Sequence, residues 1–184
     1  MKKLFLAMAL LTALPAHARD FTSTVTESET IPALRPEFKT PDEPNQLFYV
    51  QRSPNSNTVI YAAKLDAQGN PQDVEAFWRK FNIDGSKQPL NFIERAMAYG
   101  VKMQSRKAPI TFTIAALPER KLALGVDAQH HPQALMQIGT HTVKVAYVYL
   151  QVVEGGLMPS VPSLDVLGTD IASGKAIHEH LIQK

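Results

Sequence analysis

From Leu47 onward, apolar and polar positions alternate in short runs, and turn-forming residues cut the runs apart. Ile110-Thr111-Phe112-Thr113-Ile114 puts apolar side chains on one face and threonines on the other, the period-two pattern of a half-buried strand. KLALGV repeats it with Leu122, Leu124 and Val126. In VEAFWRKF, Val74, Ala76 and Trp78 share one face while Phe77 and Phe81 take the other. TVKVAYVYLQVV is apolar on both faces beyond Ala146, which predicts a central strand covered on both sides. SLDVLGTD and KAIHEHLI face each other across Ile171-Ala172-Ser173-Gly174, a hairpin pattern.

LFYVQRS and TVIYAAKL flank a polar stretch in which Ser53-Pro54-Asn55-Ser56 suits a type I turn, with proline second. One segment breaks the β rhythm. PLNFIERAMAYG, residues 89–100, offers Pro89 for a first helical turn, Leu90, Ile93 and Met97 at helical spacing, and Gly100 as a stop. Residues 19–46 hold Pro32, Pro36, Pro41 and Pro44, a density that excludes helix and interior strand and predicts an extended arm. Together these predict a mainly β fold: one antiparallel sandwich or barrel-like domain of about eight strands over residues 47–184, with one short helix.

Residues 1–18, MKKLFLAMALLTALPAHA, change the picture of where the protein works. Two lysines, an apolar run from Leu4 to Leu14 and Ala16-His17-Ala18 form a secretory leader pattern, with cleavage expected after Ala18. The run is too short to span the roughly 30 Å of a bilayer's hydrocarbon, and no later segment reaches transmembrane length. A periplasmic or secreted protein is the expectation. The chain has 19 Lys+Arg against 17 Asp+Glu, and loss of Lys2 and Lys3 with the leader leaves the two signs equal. That balance speaks against a nucleic-acid partner and against a polybasic membrane patch. Without cysteine there is no disulfide, no thiolate metal ligand and no lipoprotein anchor.

Chemistry must come from a few polar residues. Arg52 shares a strand face with Phe48 and Val50, so it needs a carboxylate partner, an exposed edge or an anionic ligand. The carboxylate is the commoner solution, with Glu94 or a neighbouring aspartate as candidates. Asn55 and Asn57 suit backbone-bonded turn positions. On the expected helix Arg95 and Tyr99 share a face, and Glu94 would be the acid or base of a cleft floored by Trp78. A second carboxylate at a set spacing, which glycosidase chemistry requires, is missing. His178 and His180, two apart on a strand, point the same way and are candidate metal ligands, but no third ligand stands near them in the sequence. G-x-S-x-G, H-E-x-x-H and phosphate-binding glycine loops are absent, so no cofactor is expected.

The Q-R-S-x-N-x-N run at residues 51–57, the Phe77-Trp78 strand, the Ala98-Tyr99-Gly100 segment and the closing GTDIASGKAIHEHL resemble, in this order, an uncharacterised family of exported bacterial proteins, a domain of unknown function. Phe77-Trp78-Arg79-Lys80-Phe81 departs slightly from the family's Tyr-Trp-Ile-Arg-Tyr. The resemblance implies no activity, but it groups Arg52, Ser53, Asn57, Trp78, Glu94, Tyr99 and Gly100. The leading expectation is a non-enzymatic domain that binds a small molecule or an envelope component through Arg52, Asn55, Asn57, Trp78, Glu94 and Tyr99. The alternatives are a small hydrolase or carbohydrate-active enzyme using Glu94 with Arg52, and a structural envelope factor without a small-molecule site.

Overall fold

The structure is a computed structural model and describes residues 21–155 and 159–184; the expected leader and its cleavage point lie outside them. The fold is mainly β, with one short helix, in a curled open sheet. Among the described residues there are twelve strands: β1 (Phe21–Ser28), β2 (Gln46–Arg52), β3 (Asn55–Leu65), β4 (Pro71–Arg79), β5 (Lys87–Pro89), β6 (Val101–Ser105), β7 (Ile110–Ile114), β8 (Leu117–Val126), β9 (Pro132–Ile138), β10 (His141–Val153), β11 (Ser160–Asp170) and β12 (Ala176–Gln183). Four of the twelve, β1, β5, β6 and β9, were not among the eight expected: β9 buries Ala134, Met136 and Ile138, β6 is only partly buried, β5 is three exposed residues and β1 is exposed along nearly its whole length. β1 and β5 show no buried face for an apolar pattern to mark.

The long β10 organises the sheet. β11 pairs along one edge of it and continues to β12 and β1. The other edge is shared. His141–Lys144 pair antiparallel with β9, and Tyr147–Leu150 run parallel to Tyr49–Arg52 of β2. Two wings therefore leave one strand, β2 through β5 and β9 through β6. They curl together over a shared core that includes Val59, Tyr61, Trp78, Phe112, Leu122, Met136 and Val148. Phe48 and Tyr61 stack within it, ring centres 4.5 Å apart.

The alternation in VEAFWRKF is realised: Val74 and Trp78 enter this core, while Phe77 enters a second one. That second cluster lies on the sheet's opposite face, with Tyr49, Ile60, Tyr147, Tyr149 and Leu167, and Ile31 and Leu34 of the N-terminal segment pack on it. Residues 21–28 of the expected arm are the edge strand β1, paired with β12 from Phe21–Gln183 to Ser28–Ala176. Beyond β1 the segment is tied down. The Tyr147 hydroxyl donates to the Pro32 carbonyl and accepts from the Leu34 amide, and Glu43 takes a two-pronged ion pair from Arg79 at 2.5 and 2.6 Å.

Two local expectations shift. The hairpin register pairs Arg52 with Asn55, so Ser53-Pro54 form the tip, one residue earlier than the expected turn. The helix starts later than Pro89, which belongs to β5. Asn91 is the N-cap of α1 (Phe92–Glu94), and a capping box with Glu94 satisfies both amides. A π turn, Arg95–Tyr99, follows and brings Tyr99 into the core; of the expected apolar stripe Leu90 is buried, while Ile93 and Met97 are exposed. Gly100 closes the turn for a steric reason. A Cβ there would stand 1.9 Å from the Arg95 carbonyl oxygen.

Candidate functional site

Strand pairing carries Arg52, Trp78 and Tyr99 to one place. β3 lies between β2 and β4, and Trp78 faces the main core beside Tyr99, ring centres 5.1 Å apart and edge to face. The Arg52 guanidinium sits 5.2 Å from the centre of the indole, and Lys80 Nζ stands 4.2 Å from the same ring. Two cations thus flank one tryptophan, an arrangement its π face favours.

The expected carboxylate partner of Arg52 is not there: among the described residues none pairs with it. Glu94 accepts instead from the Asn91 amide at 2.8 Å, so its carboxylate is committed to the helix cap. Arg52 turns to Tyr99. Burial pushes the Tyr99 phenol up, and the charge of Arg52 and its hydrogen bond pull it partly back. Two N–H groups in the cluster, Arg52 Nε and Trp78 Nε1, are buried and have no acceptor among the described residues. Such donors carry a full desolvation cost until something accepts from them.

The asparagines serve the backbone. Asn55 Oδ1 accepts from the Asn57 amide at 3.1 Å, and Asn57 Oδ1 accepts from the Asn82 amide at 3.2 Å. Ser53 pins the hairpin to β10, its hydroxyl donating to the Val152 carbonyl at 3.0 Å and accepting from the Val152 amide at 2.8 Å. The structure thus joins Arg52, Trp78 and Tyr99, leaves Glu94, Asn55 and Asn57 in structural roles, and adds Lys80.

Three further features bring in residues that the sequence did not single out. His178 and His180 converge on a third group after all, Asp165 of β11. Each imidazole places a ring nitrogen 2.7 Å from Asp165 Oδ1. On the opposite face of β12, the Glu179 carboxylate is 2% exposed. Its Oε1 accepts from the Ser23 hydroxyl at 2.6 Å and from Arg120 at 2.5 Å, and its Oε2 has no partner among the described residues. A cleft of about 240 Å³ lined by Phe21, Leu117 and Arg120 opens beside it. A larger cleft of about 440 Å³ lies between the N-terminal segment and the second aromatic cluster, lined by Leu34, Arg35, Phe38, Tyr49 and Tyr147.

No curated protein and no solved structure matches the chain. The sequence does match one family model over residues 48–180, a stretch that runs from β2 to β12 and holds Arg52, Trp78, Tyr99, Asp165 and both histidines. The chain belongs to that family, DUF4833, a domain of unknown function.

Proposed function

We propose that the protein is an exported, non-enzymatic binding domain that holds an anionic group, a carboxylate or phosphate, at Arg52 beside Trp78. The supporting observation is the state of the cluster among the described residues: a half-buried arginine without a carboxylate, and two buried N–H donors without acceptors. A carboxylate or phosphate oxygen is the group that relieves both, since guanidinium binds such anions by charge-assisted hydrogen bonds. The Tyr99 hydroxyl adds a neutral donor, and Lys80 a second charge. Export rests on the leader pattern of residues 1–18. The hydrolase alternative loses its acid, because Glu94 is engaged in capping α1.

Arg52→Ala separates a binding arginine from a structural one. With no ion pair to break, its stability should stay within about 1 kcal/mol of the parent. Thermal melts against small carboxylates, inorganic phosphate and periplasmic extract should show a ligand that raises the melting temperature of the parent but not of Arg52→Ala. A loss of about 3 kcal/mol in Arg52→Ala, with no anion shifting the parent, would return Arg52 to a structural role.

A further inference from the structure

We propose that Asp165, His178 and His180 form a binding site for a divalent transition-metal ion of the zinc class. The β11–β12 ladder places Asp165 opposite His180 and Leu167 opposite His178, so all three side chains stand on one face of two neighbouring strands. Their ligand atoms, Asp165 Oδ1, His178 Nε2 and His180 Nδ1, lie within 4.8 Å of one another. The strands hold this geometry without help from a loop.

The aspartate supplies the electrostatic argument. Asp165 is 8% exposed, and buried carboxylates ordinarily have a cationic partner. Among the described residues its ion-pair partners are the two imidazoles, with no lysine or arginine. A bound dication would supply the missing charge. Two imidazole nitrogens and one carboxylate oxygen select zinc, copper or nickel over calcium or magnesium, which take oxygen ligands. Metal bonds of about 2.0–2.2 Å set neighbouring ligand atoms roughly 3.3 Å apart, so the present 2.7 Å contacts must open by about half an ångström. The histidine side chains, 25% and 40% exposed, have room to do so. Three protein ligands at a solvent-facing position leave at least one coordination place for water or a small ligand.

The test is titration of the chelator-treated, full mature chain with Zn²⁺ alone, followed by calorimetry and by imidazole NMR. The expected result is saturable binding of one ion per chain. In the parent, the His178 and His180 resonances should move, and those of His130, His131 and His141 should not. His178→Gln, His180→Gln and Asp165→Asn should each weaken binding about tenfold or more while retaining the parent's circular dichroism. His131→Gln, which alters the turn histidine beside Asp127, should bind as the parent does. Absence of saturable binding by the parent overturns the proposal. So does movement confined to the other histidines, a readout that needs no variant to fold.

Discussion

Glu179 carries a carboxylate almost wholly withdrawn from water, with Arg120 as its charge partner and Ser23 as a second donor. Taking two charges out of water is costly, and removing one of them leaves the other uncompensated. Arg120→Met should therefore cost about 3–5 kcal/mol in urea unfolding. Glu179→Gln, which removes the buried charge instead, should cost less. Equal losses in the two variants would mean that packing, and not charge, dominates the site. The sequence marked His178 and His180 but passed over Glu179, because strand alternation aims it into the core between them. Asp165 was within reach: counting seven residues back from Ala172 and seven on from Ser173 in the predicted hairpin sets Asp165 against His180. Arg52 stood out as a charge on an apolar face, but its surroundings were not legible, since Tyr99 meets it only through the π turn and Trp78, with Lys80 on the same ring, only through strand pairing.

Two hairpins share a turn that opens Asp-Ala-Gln. Asp66-Ala67-Gln68-Gly69-Asn70 joins β3 to β4, and Asp127-Ala128-Gln129-His130-His131 joins β8 to β9. In each, the aspartate side chain accepts from the amides two and four residues on, and the fourth residue has positive φ, +85° at Gly69 and +62° at His130. Histidine bears a steric cost there that glycine avoids, so His130→Gly should stabilise by roughly 0.5–1 kcal/mol in urea melts. Accepting these amides, Asn70 above all for Asp66 and His131 above all for Asp127, holds both carboxyls below their usual range. A folded-state pKa below the unfolded one gives stability that is present above about pH 4 and is lost as pH falls through the folded value. Asp66→Asn with Asp127→Asn should flatten the stability–pH curve below about pH 4; an unchanged slope would remove the turns from the acid response. Turn chemistry of this kind is readable residue by residue, as DAQGN shows. The helix was less so: the 89–100 pattern located it, but the capping box at Asn91 and the π turn set its register and left Ile93 and Met97 outside.

One core is shared by both wings of the sheet, so calorimetry should record a single unfolding transition, and two separated transitions would show the wings to be independent. At the alkaline end, burial, with the nearby Tyr147 phenol, pushes Tyr49 up to about 12. A pKa raised in the folded state gives stability that is intact below about pH 10 and lost as pH rises through that higher value. Tyr49→Phe should remove part of that loss, as seen in urea melts from pH 9 to about 12. At this scale the β class was legible from alternation, whereas the shared edge of β10 was not, because a parallel β2–β10 pairing leaves no local mark in either strand. The pairing of β1 with β12 was equally hidden, and it bears on how the protein is made. A chain emerging from its N-terminal end presents Phe21–Ser28 early and Ala176–Gln183 late. Until that later strand arrives, β1 has no neighbour and β11 keeps an open edge, and the Glu179, His178 and His180 side chains are missing as well. A product stalled before residue 176 would therefore display two unprotected strand edges, the features on which proteolysis and aggregation act. Truncated copies would remove themselves, and only chains that reach β12 would persist.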